Sequence, residues 1–243
     1  MLLKDKNSVV YGGGGSIGGA VARAFAREGA HVFLAGRTEA KLEAVASEIR
    51  AAGGTAHTAV LDALDAAQVD AHAETVGRID ISFNAIGHND IQGTPMAEMD
   101  VDDYLSPILT GARTNFLTWK AAAKHGASVI LVFGGSGPPM GDYSLGGLQA
   151  GLEVLESMRR QFSAENGKRG IRVVTLRTGG IGDSIPADFD GRDALVKSLE
   201  DMTMLGTLAT LEDVGNVAAF VASDRARTMT AATVNVSCGA LID

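Results

Sequence analysis

Val9-Val10-Tyr11-Gly12-Gly13-Gly14-Gly15-Ser16-Ile17-Gly18-Gly19-Ala20 decides the fold of this chain. A short β-branched run leads straight into glycines, and the residues that follow, Val21, Ala22, Ala24 and Phe25, recur at helical spacing. Glycine lets the backbone turn at positive φ and approach a bound group closely. The helix behind it presents unpartnered N–H groups and the positive end of its dipole. Strand, glycine turn and helix in this order predict a seat for the diphosphate of a dinucleotide. The plain alternative is a tight turn that holds nothing.

Outward from this turn, β-branched runs alternate with stretches of helical period. Seven strands are expected near Val9–Tyr11, His31–Ala35, Ala56–Val60, Asp80–Asn84, Val129–Phe133, Arg172–Leu176 and Thr233–Val236. Helices are expected to begin near Ser16, Glu39, Asp65, Asp102, Ser144 and Leu211. That alternation predicts an α/β domain of the Rossmann type: a doubly wound parallel sheet of about seven strands with helices on both faces, spanning 1–243 as one unit. Ligands of such sheets sit beyond the carboxyl ends of the strands. The stretch 182–205 carries Pro186, Gly191 and six acidic residues, too irregular for a core helix. It reads as a substrate lid or as a solvated connection.

A net charge of −8 and a pI near 5.1 give no reason to seek nucleic acid or anionic lipid. Cys238 is the only cysteine, so no internal disulfide or cysteine-based metal site forms within one chain. A reducing cytoplasm fits. The start, Met1 to Asn7, becomes charged before an apolar stretch is long enough to span a membrane or act as a signal. His31, His57, His72 and His125 lack ligand spacing with carboxylates, and no metal site is expected.

The glycine turn resembles that of the short-chain dehydrogenase/reductase family, which has Gly, three variable residues, Gly, one residue and Gly. Gly12 and Gly18 fit the outer positions, and Ser16 takes the place of the middle glycine. A serine there would cap the helix and bond a phosphate oxygen, while its side chain narrows the backbone's approach. The resemblance continues over nearly the whole chain. Asp62, in Val60-Leu61-Asp62-Ala63, matches the family position that contacts the adenine. Asn84-Ala85-Ile86-Gly87 is similar to the Asn-Asn-Ala-Gly segment beside the cofactor. Thr178-Gly179-Gly180-Ile181 aligns with the Pro-Gly segment near the nicotinamide, with Thr178 in place of the proline. The resemblance therefore implies a cofactor site from Gly12, Ser16, Ile17, Gly18, Arg37, Asp62, Ala63, Asn84, Ala85, Gly179 and Ile181. After the second strand, Ala35-Gly36-Arg37-Thr38 has an arginine where an NAD enzyme commonly has a carboxylate. A guanidinium there suits a 2′-phosphate, so NADP is the expected cofactor, with NAD the alternative.

The family's Ser, Tyr-x-x-x-Lys and Asn are not matched. Alignment on Gln149-Ala150-Gly151-Leu152 places Leu145 at the tyrosine, Gln149 at the lysine, Gly111 at the asparagine and Gly135 or Ser136 at the serine. Leucine has no proton to give. Glutamine still bonds ribose hydroxyls but lacks the ammonium charge that lowers a neighbouring tyrosine's pKa. At about 4 Å and an effective dielectric of about 20 that charge is worth about 4 kcal/mol, or several hundred-fold in rate. Tyr143 is similar in placement to the tyrosine of the enoyl-thioester reductases and is a candidate proton donor, with a rim or packing tyrosine as the alternative. Ser136 is a candidate for orienting a substrate oxygen. His88, just beyond the fourth strand, is either a proton-transfer group or a surface loop histidine.

The expected function is NADP(H)-dependent hydride transfer to or from a small organic carbonyl or conjugated alkene. The alternative is a family member that has lost redox chemistry and acts as a cofactor-holding scaffold, regulator or lyase. Leu145, Leu148, Leu152, Leu155 and Phe162 form an apolar stripe. By analogy with the family, that helix and its neighbour imply a homodimer or homotetramer.

Overall fold

Val9, Val10 and Tyr11 are at most 1% exposed, as a strand must be when helices cover both faces of its sheet. They belong to β1 (Asn7–Tyr11), the central strand of a seven-stranded sheet in the computed structural model, which describes residues 1–139 and 144–242. The other strands are β2 (His31–Gly36), β3 (Thr55–Val60), β4 (Ile81–Asn84), β5 (Val129–Gly134), β6 (Arg172–Thr178) and β7 (Ala232–Val236). Their order is β3-β2-β1-β4-β5-β6-β7, and every pairing is parallel. Val9 stands opposite Phe33 on one side and Ser82 on the other. The order reverses between β1 and β4, and a crevice opens there at the carboxyl ends.

Alternation along the strands builds two cores. Val10, Leu34, Phe83, Leu131 and Leu176 point to one face, where α1 (Ser16–Arg27), α2 (Glu39–Ala51) and α7 (Leu211–Ala222) bring Val21, Phe25, Leu42, Val214 and Ala218. Val9, Tyr11, Ile130, Val132 and Val173 point to the other. There α3 (Ala66–Val76), α4 (Val101–Lys124) and α5 (Gly146–Asn166) bring Val69, Trp119 and Leu155.

The sequence placed all seven strands and shifted some helix starts. Asp65 caps α3 rather than beginning it, its carboxylate accepting from the amides of Ala67 and Gln68. Ser144 has φ +48°, a left-handed conformation, so α5 starts only at Gly146 with Leu145 as its cap. The stretch 182–205 contains a helix that periodicity missed, α6 (Arg192–Asp201). None of its residues is buried, and its apolar face, Leu195, Val196 and Leu199, is narrow and only half-covered. It is tied down by Arg192, which donates to the Gly182 carbonyl at 3.0 Å. No described helix is long and apolar enough to cross a membrane.

Candidate active site

Gly12 turns the chain at φ +74°, and the amides of Gly12 and Gly13 both donate to the Ala35 carbonyl, at 2.8 and 3.2 Å. A β-carbon at Gly12 would lie 2.7 Å from the Ala85 carbonyl oxygen, and one at Gly18 would collide with the Gly12 carbonyl. The turn is thus closed on the backbone that follows β4, with the start of α1 folded down on it. Gly15, not Ser16, is the cap of α1, and no side chain caps it. Ser16 is exposed in the first helical turn, which corrects the expectation that its hydroxyl caps the helix. The first amides of α1 therefore keep the open N–H groups that a helix start leaves.

Above this turn lies a cleft of about 340 Å³. Of the expected cofactor residues, Gly12, Arg37, Asp62, Ala63 and Ala85 line it. Ser16, Ile17, Gly18, Asn84, Gly179 and Ile181 do not, and the structure gives each another place. Ile17 packs against the core. Gly18 lies on Gly12. Asn84 is buried, donating to the Thr118 hydroxyl at 3.3 Å and accepting from the Ile86 amide at 3.0 Å, so it fixes the cleft wall without entering it. Gly179 faces Ser237 and Ala240. Ile181 is 6% exposed in the core and bridges to Ala209.

The cleft also takes residues the sequence reading passed over. Lys41, on the first turns of α2, stands with Arg37 and Thr38 at the rim, and a β-carbon on Gly14 would meet it at 2.8 Å. Its place in the first turn of the helix that follows Arg37 was the available clue. Tyr11 lies at the base, where burial, and after it the charge of Asp70, pushes its phenol well above the ordinary value. The Asp62–Leu64 segment is pinned by Arg113 of α4, which donates to the Leu64 carbonyl at 2.8 Å.

Toward the ends of β5 and β6, Gln149 and Ser136 come together with a residue no pattern had marked. Gln149 Oε1 accepts from the Gly137 amide at 3.3 Å, and Arg177 donates to the Ser136 carbonyl at 3.2 Å. Gln149 thus braces the loop after β5. Tyr143 lies outside the described residues. His88 is 8% exposed, so the surface-loop alternative is corrected: the residue is buried at the end of β4. Among the described residues no group of three or more His, Cys, Asp or Glu side chains is placed to hold a metal ion.

Comparison with known proteins extends over almost the full length. A family model described as enoyl-(acyl carrier protein) reductase matches residues 13–240. A 2,5-dichloro-2,5-cyclohexadiene-1,4-diol dehydrogenase of Sphingobium indicum is 30% identical over 248 residues, covering 98% of this chain and 96% of its own. A dehydrogenase/reductase structure from Sinorhizobium meliloti 1021 matches with a TM-score of 0.85 at 28% identity, covering 98% of this chain and 96% of its own. A short-chain dehydrogenase from Burkholderia cenocepacia J2315 in complex with NADP matches with a TM-score of 0.85 at 25% identity, covering 99% of each chain.

Proposed function

This chain belongs to the short-chain dehydrogenase/reductase family and is an oxidoreductase, and from that premise we propose that it moves hydride between NADP(H) and a small organic carbonyl or conjugated alkene. The observation that carries this reading is the glycine turn closed on Ala85 beneath a cleft whose rim bears Arg37 and Lys41. The fit is steric as well as electrostatic, because β-carbons at Gly12 or Gly18 would strike backbone and displace the turn. The backbone of Gly12, Gly14 and Gly15, with the first amides of α1 from Ser16, Ile17 and Gly18, would hold the diphosphate. Asp62 and Ala63 would flank the adenine, Ala85 would lie along the cofactor with Asn84 fixing its backbone, and Gly179 and Ile181 would shape the nicotinamide end from behind. Bound there, the nicotinamide supplies the hydride chemistry. Gln149, Ser136 and Tyr143 would contact ribose or substrate.

Charge at the rim is the basis for NADP over NAD, since a guanidinium makes bidentate bonds to a 2′-phosphate and an ammonium adds to them. NADPH is expected to bind about tenfold or more tighter than NADH, about 1.4 kcal/mol, and Arg37→Ala to remove most of that difference. Fluorescence titration with both nucleotides measures this, and equal affinities in the unsubstituted chain would rule out the preference. Stopped-flow oxidation of bound NADPH by a panel of ketones and enones tests the reaction. Tight binding with no turnover in either class would refute this substrate range.

The outer face of α4 supports a homodimer or homotetramer. Leu105, Leu109 and Phe116 recur at helical spacing and are 38%, 63% and 52% exposed, an apolar strip that solvent disfavours. Light scattering is expected to give two or four times the chain mass of 25.0 kDa. A single chain mass at micromolar concentration would defeat this assignment.

A further inference from the structure

The positions that align with the family's tyrosine, lysine and asparagine hold Leu145, Gln149 and Gly111, none of which exchanges a proton near neutral pH. An imidazole does lie in this region. His88 follows the end of β4, and its two neighbours, Gly87 and Asn89, both line the cleft. Asn89 holds a left-handed φ of +56°, a conformation costly for a residue with a side chain, and it fixes the chain direction directly after the histidine. The ring itself turns inward, against α4.

There it meets Gly111. A glycine inside a helix costs about 1 kcal/mol relative to alanine, and here the space explains the residue. A β-carbon at 111 would lie 3.4 Å from both Cε1 and Nε2 of His88, so a longer side chain would need the volume that the ring occupies. Among the described residues neither ring nitrogen has a hydrogen-bond partner, although the residue is 8% exposed. Two other histidines differ: Nδ1 of His72 and Nε2 of His125 are fully enclosed. Burial lowers the His88 pKa, outweighing the opposite influence of Asp90 on the same loop. Among the described residues Asp90 is the charged group acting on the ring, and α4 meets it with uncharged Gly111.

We propose that His88 is the acid–base residue of this site, set in the space left by Gly111 and exchanging the proton that accompanies hydride transfer. The proposal rests on the oxidoreductase reading above. In the oxidative direction the alcohol O–H proton passes to the unprotonated ring nitrogen. The carbinol C–H pair departs as hydride to the oxidised nicotinamide, and the C=O bond forms. In the reductive direction imidazolium returns the proton to the carbonyl oxygen as hydride arrives at carbon. Oxidation therefore rises with pH through the His88 midpoint, and reduction falls through it.

Histidine-labelled protein, with His88→Gln to assign the resonance, gives the ring's titration by NMR in the free chain and with NADP⁺ or NADPH. A positively charged nicotinamide near the ring disfavours imidazolium, so the midpoint is expected about half a pH unit lower with NADP⁺ than with NADPH. His88→Gln is expected to lose about tenfold or more in kcat and the pH limb matching that midpoint, with NADPH affinity within about twofold of the parent. Gly111→Asn, which competes for the ring's volume, is expected to lose the same limb. Identical midpoints in the two complexes overturn the assignment while the hydride-transfer reading stands. So does a limb that survives in His88→Gln and vanishes in Tyr143→Phe. Failure of both nucleotides to bind overturns the cofactor reading and this one with it.

Discussion

Gly18→Ala is expected to weaken NADPH binding by about a hundredfold or more, about 3 kcal/mol, whereas Ser16→Ala stays within about threefold. The added methyl at position 18 collides with the Gly12 carbonyl, and Gly12 cannot retreat because its own α-carbon faces the Ala85 carbonyl. Relief must come from lifting α1 off the turn, which moves the amides meant for the diphosphate. Ser16 is exposed and caps nothing, so losing its hydroxyl leaves the turn unchanged. Fluorescence titration of both variants reads the effect, and a thermal melt checks that the Gly18→Ala chain is folded. A folded Gly18→Ala chain that binds NADPH like its parent would mean that this turn is not the nucleotide's seat.

Removal of one carboxylate far from the cleft is expected to cost more stability than most surface changes together. Glu156 of α5 is 5% exposed and Arg159 is 4% exposed. They pair at 2.6 Å, and Glu156 also accepts from the hydroxyls of Thr175 at 2.6 Å and Thr233 at 3.3 Å. Burial alone would raise the Glu156 pKa, but the bonds from Arg159 and Thr175 prevail and hold it below the ordinary value. Glu156→Ala leaves a buried guanidinium uncompensated, a loss of about 3–5 kcal/mol, or about 10 °C in Tm for a chain of this size. Pairing it with Arg159→Leu is expected to recover much of the loss, because no charge is then stranded. A lowered carboxylate gives stability that is complete above its unfolded pKa and is lost as pH falls through its folded pKa. The parent should therefore lose part of its advantage over the double variant in acid. Denaturant melts at neutral and acid pH measure both effects, and a Glu156→Ala chain within about 1 kcal/mol of its parent would show that the pair is solvated.

Period and turn chemistry made the framework legible. Val9 to Tyr11, His31 to Ala35 and Val129 to Phe133 must be strands because β-branched and apolar residues run together there between glycine breaks, and parallel strands covered on both faces need that composition. The placement of Gly12, Arg37, Asp62 and Ala85 around one cleft followed from the same logic, since each comes directly after a strand and strand ends converge at the point where the order reverses. Helix α6 escaped because its apolar face, Leu195, Val196 and Leu199, is short, half-covered and set among acidic residues. The burial of Ile181 and its bridge to Ala209 were not legible, because an apolar residue after a strand serves core or cofactor equally well until its neighbours are known.

The amino-acid order alone determined the alternation of strand and helix and the glycine turn, because these are properties of neighbours along the chain. Only the tertiary structure decided that Gly18 rests on Gly12, that Arg177 reaches Ser136, and that His88 fills the room beside Gly111. Those contacts join residues separated by six to more than forty positions. Packing between different elements sets such distances, and no local period encodes them.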